Sequence, residues 1–554
     1  MGKDLSRRNF IKSGAIVAAG AAGAATFSTV AHAADDPENS FWIPDEWHDE
    51  ADFVIIGFGG AGASAAVTAE RNGASAIVLE KSPEHLFSGN SGVAVGGLVT
   101  VIPGMEKEAQ IFMRHLVGKN VSEAEITEFV KESAELDQYL ETLESDYELM
   151  VMETGRNPLL PTIEGNESVS RVMRFGNGKA LYDSMLKTLA LEDGGELITV
   201  YGETPATELI QNPITQEILG VYAKLPDGSK AAFKAKKAVI MCCGGFEADE
   251  DFIADFIYDG ASRFKVWPWG SPYNTGDGIK LLSKVGGKLR HMVSIEWGSP
   301  SVTKASEELG CGVCLGSGEW PYENAILVNS TGKRFANELV YGPTTSTTIP
   351  THTKQPIPHI DFDMTLNDHP NLPFYLITDE TRISSGIALA GKVNEKNLVE
   401  TWAAVKGICA WSSDNQKEIE KGYIVKAETL EELGTKMGID GDNLAAQVAQ
   451  WNEMVANGED TQFGRTDQFT PVDNPPYYGV ELGMSMINTQ GGAMRDERHR
   501  ALDWEDQPIP RLYACGEFGS IFGFLYFGGG NLPEAVTTGK AAIEFALEEH
   551  SDWD

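Results

Sequence analysis

The residues best suited to chemistry near the start of the chain are three glycines, Gly57, Gly59 and Gly62, in the spacing G-x-G-x-x-G. They follow residues 52–56, an apolar and β-branched run typical of a buried parallel strand, and they open an Ala-rich helix. Such glycines allow a tight turn, close approach of a pyrophosphate and close helix–strand packing. The helix N-terminus adds unpaired N–H groups for the phosphates. The spacing therefore predicts a dinucleotide-binding site.

An acidic residue supports the same interpretation. Residues 75–79 form a second apolar run that ends at Glu80, where a carboxylate can accept hydrogen bonds from a ribose diol. The sequence contains no second fingerprint of this kind for NAD(P)H and no Cys-x-x-Cys-His for a covalent haem. Electrons are therefore expected to be exchanged with a separate partner, or with a second substrate in a ping-pong cycle.

Composition narrows the class of protein. The 554 residues, 42% hydrophobic and 23% charged, predict a globular protein with two or more domains. A net charge of −37 argues against nucleic acid and anionic membrane surfaces as partners. Six cysteines in this length do not form a disulfide framework. Cys311 and Cys314 form a C-x-x-C, either an incidental pair of small residues or a redox or metal site.

The N-terminus carries a predicted export signal. Residues 6–12 (SRRNFIK) fit the twin-arginine pattern, an Ala/Gly stretch follows, and Ala31-His32-Ala33 gives the small-x-small pattern that precedes cleavage. We expect a folded, cofactor-loaded protein to be exported and to act outside the cytoplasmic membrane, in the periplasm or another extracytoplasmic space. Cleavage after residue 33 and retention of the apolar stretch as an anchor both stay open. No later stretch is apolar enough to span a bilayer.

Periodicity predicts the elements that position these motifs. Helices are predicted at residues 122–144, 178–191, 429–437 and 443–456. Short strands are predicted at residues 197–201, 207–211, 218–224 and 238–242. The four strands are interpreted as an antiparallel meander inserted beside the parallel sheet.

Further segments, taken in order and spacing, resemble flavoproteins that include soluble fumarate reductases of the flavocytochrome c type, urocanate reductases and 3-ketosteroid dehydrogenases. The segments are SGNS (88–91), GG (96–97), CCGGF (242–246), TGDG (275–278), ILVN (326–329), GKRFANE (332–338), TQGG (489–492), LYACGE (512–517) and GGGNL (528–532). The resemblance covers nearly all of the mature chain and implies non-covalently bound FAD.

The resemblance also implies an α/β fold, with a Rossmann-like FAD-binding domain that carries inserted antiparallel strands and a smaller α+β mobile cap domain. A cap that closes over the flavin would exclude water and supply proton-transfer groups. The predicted divisions are a signal peptide at 1–33, a linker at 34–50, a first segment of the FAD-binding domain at 51–319, the cap at 320–488 and a second segment of the FAD-binding domain at 489–554.

In these families the FAD contacts come from turns rich in small residues. The resemblance assigns the adenosine and pyrophosphate to Ala61, Glu80 and Ala206, and the ribityl chain and isoalloxazine to Asn90, Ser91, Gly96, Gly97, Asp277 and Glu517. For Asp277 the alternative role of a helix N-cap stays open. A helix that begins near Asn531 and Leu532 would point its N-terminus at the flavin and stabilise a reduced, anionic ring.

The substrate motif departs from that of the fumarate reductases, which clamp two carboxylates with histidines and an arginine. Asn488 stands where the family has the histidine before Thr-x-Gly-Gly, and Phe527 stands in place of the C-terminal substrate arginine. No arginine follows Glu338 within four residues. A dicarboxylate would lack bidentate partners, so fumarate is not the expected substrate.

The segment Tyr526 to Gly530 instead resembles the Tyr-Pro-Gly-x-Gly of the steroid dehydrogenases, in which the tyrosine and the last glycine N–H bind a ketone oxygen. A ketone held in this way withdraws electrons from a conjugated C=C, so that hydride adds at the β-carbon. Tyr341 then either supplies the α-proton or caps a loop, and Arg382 is either a general acid or part of a helix start. The aromatic residues nearby suggest either a large apolar pocket or core packing; these are Trp267, Trp269, Phe522, Phe524 and Phe527.

These features predict an exported FAD-dependent oxidoreductase that reduces, or forms, a C=C bond conjugated to a carbonyl. The favoured substrate is an extended, uncharged or weakly charged enone, and the external electron partner is the quinol pool or a cytochrome. The first alternative is a respiratory reductase of small unsaturated monocarboxylates, such as urocanate or aryl acrylates, with Arg382 as proton donor. The second is an exported flavin electron carrier without a small substrate.

Overall fold

The structure is a computed structural model. It describes residues 42–94, 96–155, 160, 162–189, 197–258, 263–298, 300–315, 323–341, 358–385, 389, 402, 411–412, 414–523 and 525–553. The predicted export signal, the beginning of the linker and Phe524 lie outside the described residues. Within the described ranges of the chain, no helix has the length and apolarity needed to cross a membrane.

Twenty strands are described in these ranges. They are β1 (Asp49–Ile56), β2 (Ala76–Leu79), β3 (Leu98–Thr100), β4 (Met150–Glu153), β5 (Arg171–Arg174), β6 (Ile198–Tyr201), β7 (Ala206–Gln211), β8 (Ile218–Lys224), β9 (Lys230–Met241), β10 (Val266–Pro268), β11 (Leu289–Arg290), β12 (Ile295–Trp297), β13 (Ser301–Val302), β14 (Ala325–Asn329), β15 (Phe374–Asp379), β16 (Val425–Ala427), β17 (Tyr477–Thr489), β18 (Gly492–Ala493), β19 (Arg500–Leu502) and β20 (Pro508–Ala514).

Fourteen α-helices are described in the same ranges. They are α1 (Gly60–Arg71), α2 (Glu106–Leu116), α3 (Glu123–Ala134), α4 (Leu136–Leu140), α5 (Gly178–Thr188), α6 (Glu250–Phe252), α7 (Asp277–Lys284), α8 (Thr303–Leu309), α9 (Glu338–Tyr341), α10 (Glu380–Ile383), α11 (Gln416–Lys421), α12 (Leu430–Met437), α13 (Gly441–Asn457) and α14 (Asn531–Glu549). Short 3₁₀ or π turns lie at Glu84–Leu86, Gly89–Val93, Asn166–Ser168, Ile253–Ile257 and Pro358–Ile360.

The first sheet has the strand order β19-β20-β9-β1-β2-β6, and the five strands from β20 to β6 run parallel. β1 is buried along most of its length, as an apolar run with helices on the sheet faces requires. Helices α1 and α14 pack so closely that a Cβ added at Gly539 would lie 2.2 Å from the Ala61 carbonyl oxygen. The predicted α/β fold with a parallel sheet is therefore confirmed.

Two sequence-based assignments differ from the structure. The strands predicted at 197–201 and 238–242 belong to the parallel sheet as β6 and β9, and only β7 and β8 form the inserted antiparallel pair. A short apolar run does not reveal its partner strand, which explains this error. The helix predicted at 122–144 is broken at Glu135, whose ψ of 2° ends α3 before α4 begins.

The second sheet is organised around β17, which pairs with β10, β12, β13, β15 and β16, while β14 lies beyond β15. Tyr477, at one end of β17, pairs with Asp379, and Asn488, near the other end, pairs with Glu296. Helix α13 packs on this sheet through Leu444, Val448 and Trp451, and α12 packs on it through Leu430 and Leu433. Because strands before and after residue 320 join this sheet, the division at 320 stays a prediction.

Candidate functional site

A cavity of about 680 Å³ lies at the carboxyl ends of the parallel strands of the first sheet. This is the edge at which open α/β sheets bind ligands. Glu80 follows β2 and Glu517 follows β20, and these two strands lie on opposite sides of the β9–β1 pair. The cavity therefore has one end with Glu80 and Ala206, the predicted adenosine end, and a second end that contains Glu517.

The glycine loop has the backbone geometry that its spacing predicts. Gly57 has φ +96°, and a Cβ added there would lie 2.4 Å from the Cys242 carbonyl oxygen. A Cβ at Gly62 would lie 2.0 Å from the Gly57 carbonyl oxygen, so helix and strand require glycine at that contact. At Gly59 the nearest atom would be 3.7 Å away, which leaves the approach to the α1 N-terminus open for a pyrophosphate. Ser91 Oγ accepts the Gly60 N–H at 3.1 Å, beside the same helix terminus.

At the adenosine end, backbone N–H groups orient Glu80, the residue that is predicted to bind the ribose. The Glu80 carboxylate accepts the Phe58 N–H at 2.8 Å and the Ser82 N–H at 2.7 Å. Lys81 Nζ forms an ion pair with Asp277 Oδ2 at 2.7 Å. Asp277 and Lys81 line the cavity next to Glu80. The N-cap interpretation of Asp277 is wrong, because Gly276 is the N-cap and Asp277 is the first residue of α7.

At the other end, Asn90 holds two buried carboxylates. Its Nδ2 donates to Glu247 Oε1 at 2.7 Å and to Glu517 Oε2 at 3.3 Å, and its Oδ1 accepts the Ser271 N–H. Asn274 Nδ2 also donates to Glu247 Oε1 at 2.7 Å. Burial, and then the charge of Glu247, raise the pKa of Glu517 well above its ordinary value, and burial raises the pKa of Glu247. At least one of the two carboxyl groups is therefore expected to hold a proton.

Sequence reasoning missed Glu247 and Glu296, both of which are buried. Glu296 lines the cavity directly across the strand pair from Asn488. The Asn488 side chain donates to Glu517, while its buried Oδ1 has no hydrogen-bond partner among the described residues. A signal for Glu247 was its position directly after the CCGGF segment, and Glu296 was recognisable only as an acid within an apolar strand.

Tyr526 lies against the N-terminus of α14. Its hydroxyl oxygen accepts the Asn531 N–H at 3.1 Å and also the Gly530 N–H. Burial, and then the charge of Glu296, raise the pKa of Tyr526, so its hydroxyl stays protonated. The ring stacks on Phe527, with centroids 5.9 Å apart, and both residues line the cavity.

The predicted ketone contact of Gly530 differs from the structure. Gly530 is not among the described residues that line the cavity, and its N–H is directed to the Tyr526 hydroxyl. The first N–H groups of a helix have no intrahelical acceptors, so the hydroxyl satisfies those of α14. Asn531 and Leu532 do line the cavity, which places the α14 N-terminus at it as predicted.

The remaining predicted residues divide into two groups. Gly96, Gly97, Ala206 and Trp269 line the cavity, whereas Trp267 and Phe522 pack elsewhere. At Gly96, with φ +85°, an added Cβ would lie 2.4 Å from Asn177 Cα, so only glycine fits.

Of the two predicted proton donors, only Arg382 has a described side chain, and it lies away from the cavity. Arg382 is buried in α10, after the end of β15 that pairs with Tyr477, and it does not line the cavity. Burial lowers the pKa of Arg382, against the opposing charge of Glu323. Tyr341 ends α9, and its side chain lies outside the described residues.

Arg174 lines the cavity and was also missed by sequence reasoning. It ends β5, in which Val172 and Arg174 face the cavity while Arg171 and Met173 face the other way, as strand alternation requires. Arg171 is paired with Asp137 at 2.5 Å. A short strand without a recognisable motif gave no signal for this residue.

The residues present fit FAD. The cavity offers an open glycine turn for a pyrophosphate, an oriented acid for a ribose and a helix N-terminus at its far end. Glu517 Oε1 is buried without a hydrogen-bond partner among the described residues, which suits a hydroxyl-rich ribityl chain.

Cys311 and Cys314, the two cysteines of the C-x-x-C, are buried and not linked to each other.

Known proteins with similar sequences include two reductases. The chain is 26% identical to an NADH:acrylate oxidoreductase of Vibrio harveyi, over 92% of this chain and 51% of that relative. It thus spans about half the length of that relative. It is also 26% identical to a fumarate reductase (cytochrome) of Shewanella frigidimarina, over 93% of this chain and 80% of that protein.

A solved structure shares the fold. A 3-ketosteroid Δ1-dehydrogenase from Sterolibacterium denitrificans, crystallised with 1,4-androstadiene-3,17-dione, has a TM-score of 0.68 at 19% identity, over 90% of this chain and 100% of that one. The family described as FAD binding domain matches residues 52–532. With the cavity geometry, this match confirms the predicted cofactor and flavoprotein class: the chain belongs to the FAD binding domain family of FAD-dependent oxidoreductases.

Proposed function

We propose that this protein reduces, or in reverse forms, a C=C bond conjugated to a carbonyl group. The observation that carries the proposal is Tyr526, a buried phenol that lines the cavity. Its oxygen accepts two N–H groups from the start of α14. A hydroxyl that accepts in this way retains an O–H that donates, and a substrate carbonyl oxygen is an acceptor of that type.

The chemistry follows from where negative charge develops. Bound FAD, when reduced, supplies the hydride that adds to the β-carbon. Tyr526 then donates to the carbonyl oxygen as charge builds there, and the α14 N–H groups polarise the phenol further. One such donor is worth about 3–4 kcal/mol of transition-state stabilisation. Phe527 and Trp269 form apolar walls that limit water near the reacting carbon atoms.

The α-proton requires a second donor, and we propose Tyr341 for this role. The helix that carries Tyr341 begins at Glu338, whose carboxylate is fixed by Arg334 at 2.8 Å. Substitution of Tyr341 by Phe is expected to slow protonation and leave substrate binding unchanged, which rapid-mixing kinetics with a deuterated solvent would measure.

A dicarboxylate is a poor fit for this cavity. Asn488 and Phe527 offer no positive charge, and Glu296 and Glu517 are acidic residues of the cavity lining. A second substrate carboxylate would be desolvated there without a second cationic partner, which is unfavourable. An enone with at most one negative charge is therefore the favoured substrate.

The test compares two single variants. Tyr526→Phe is expected to lower the rate at which enones reoxidise the photoreduced flavin by about two to three decades. Arg382→Ala is expected to leave that rate nearly unchanged. Tyr139→Phe, a buried tyrosine bonded to Ser64 and not among the cavity-lining residues, controls for general loss of a phenol. A nearly normal Tyr526→Phe enzyme with an inactive Arg382→Ala enzyme would contradict the proposal.

A reductase of unsaturated monocarboxylates is the second candidate. The observation in its favour is Arg174, an arginine that lines the cavity. The chain's similarity to an acrylate oxidoreductase agrees with this candidate. Both candidates share reduction of a polarised C=C and differ in the charge of the substrate.

We also propose export by the twin-arginine route and electron exchange with an external quinol or cytochrome partner. Support comes from residues 6–12 and from the presence of only one dinucleotide fingerprint in the sequence. Replacement of Arg7 and Arg8 by Lys, followed by cell fractionation, tests the export proposal. Flavin-loaded protein that still reaches the extracytoplasmic fraction would contradict it.

A further inference from the structure

Arg174 is a partly buried arginine that lines the cavity and, unlike Arg171 and Arg290, has no anionic partner among the described residues. Its Nε is buried and has no hydrogen-bond partner among the described residues. In the described ranges, no carboxylate lies within ion-pair distance of its guanidinium. By contrast, Arg171, three residues earlier, is paired with Asp137, and the buried Arg290 is paired with Glu125 at 2.6 Å. A buried, charged donor without an acceptor is unfavourable, so this position favours an acceptor group on a bound ligand.

The guanidinium lies at the Tyr526 end of the cavity. Its Nη2 and Nε are 3.6 and 3.7 Å from the position that a Cβ on Gly97 would occupy. The Gly97 carbonyl oxygen is in turn 3.0 Å from the corresponding Cβ position of Gly529, and Gly529 accepts the Val99 N–H at 2.9 Å. Arg174 therefore stands across Gly97 from the loop that carries Tyr526.

The only other cation in the described lining is Lys81, and it is already neutralised. Lys81 pairs with Asp277 at the adenosine end, beside the carboxylate of Glu80. Asn488 and Phe527, which also line the cavity, carry no charge. Arg174, on a different element, is thus the one cation of the described lining that is placed to receive an anion near Tyr526.

We propose that Arg174 binds a carboxylate of the substrate through its planar guanidinium fork. This inference rests on the proposed function and narrows its substrate class to unsaturated carbonyl compounds that carry a single carboxylate. The two phosphates of FAD belong at the α1 N-terminus, and its oxidised ring system is uncharged, so the cofactor does not supply this anion. A fork of two N–H donors matches a carboxylate in shape as well as charge. The walls beside it, Val99, Val169 and Val172, suit an apolar body on the same substrate.

The test uses holoprotein and ligands matched in shape but not in charge. Two pairs serve: cinnamate with methyl cinnamate, and 4-carboxybenzalacetone with benzalacetone. Binding to the oxidised protein is measured from the change in flavin absorbance, which does not require turnover. For Arg174→Gln we expect the Kd of each carboxylate to rise roughly 10- to 100-fold and the Kd of each neutral partner to change less than about threefold. Arg174→Lys, which keeps the charge but loses the fork, should fall between the two.

A control and three contrary outcomes complete the design. Lys187→Gln removes one exposed positive charge, paired with Asp146, and should leave all four Kd values unchanged. Equal weakening of charged and neutral ligands by Arg174→Gln would overturn the inference. So would a lowered flavin midpoint potential without any charge discrimination, which would assign Arg174 to the cofactor. If wild-type protein reduces the neutral ligands and binds no carboxylate, this inference fails while the proposed function stands; if no ligand reoxidises the reduced flavin, the proposed function itself fails.

Discussion

The segment predicted as the cap, residues 320–488, and the cavity both contain buried charged groups, but they balance the charges differently. In that segment a cap charge cluster is formed by Arg334, Glu338, Asp460 and Arg465, whose side chains are no more than 1% exposed. Two cations face two anions there. Although burial alone would raise it, the Arg334 guanidinium brings the pKa of Asp460 below its ordinary value.

The cavity lacks this balance. Glu247 and Glu517, the cavity acid pair, share the neutral donor Asn90, and no cation lies within ion-pair distance of either among the described residues. Arg174 stands at the same end without an anion. The comparison teaches that the charges of the cap charge cluster are compensated within the chain, whereas the uncompensated groups at the cavity indicate a surface for a ligand.

The largest expected effect comes from unbalancing the cap charge cluster. Glu338→Ala leaves Arg334 and Arg465 with one buried carboxylate between them, so the free energy of unfolding should fall by about 3–5 kcal/mol. Chemical denaturation followed by fluorescence measures the change. Glu459→Ala, an exposed neighbour of Asp460, should change it by less than about 0.5 kcal/mol. Equal effects of the two variants would contradict the comparison.

A buried histidine in the same region provides the second test, because burial favours its uncharged form. His359 packs against Phe335 and Phe374, and burial lowers its pKa to about 4. The unfolded chain binds a proton near pH 6.5 and the folded protein does not, so stability should fall as pH decreases from 6.5 towards 4. The loss is about 3 kcal/mol at most, from about 1.4 kcal/mol per pH unit. His359→Phe should flatten this region of the pH profile, and an unchanged slope would refute the assignment.

The cavity acid pair predicts the opposite pH dependence. The raised pKa of Glu517 means that the folded protein retains a proton above the unfolded value near 4.5, so stability is lost as pH rises. Glu517→Gln keeps the shape and removes the titration. The variant should gain about 1–3 kcal/mol over wild type at pH 8 and nothing near pH 4, as measured by thermal unfolding across pH. A gain that grows towards low pH would contradict the argument.

The smallest expected effect concerns the compensated pair at the adenosine end. Lys81 and Asp277 are partly exposed, at 24% and 37%, so their ion pair contributes little. Lys81→Met should weaken FAD binding by about 0.5–1 kcal/mol, a few-fold in Kd measured by flavin fluorescence on dilution. A loss of FAD comparable to that caused by a bulky residue at Gly59 would show that this pair has a larger role.

Local motifs predicted the features of the fold and site that depend on neighbouring residues. Gly57, Gly59 and Gly62 have the geometry that their spacing indicates, because a turn is decided within a few residues. Glu296 became visible only through its pairing with Asn488, almost two hundred residues away in the chain. Gly530 was expected to contact a ketone, but its N–H donates to the Tyr526 hydroxyl. The sequence does not show that the first N–H groups of the helix take this hydroxyl as their acceptor.

The most direct test of the central claim uses the flavin itself. Purified holoprotein, photoreduced without oxygen, is mixed with 4-carboxybenzalacetone while flavin absorbance and product are followed. We expect one FAD per chain, released on denaturation, and one saturated product formed per flavin reoxidised, with Tyr526→Phe slower by about two to three decades. Reduced flavin that no conjugated carbonyl compound reoxidises, but that a quinone or cytochrome does, would contradict the account.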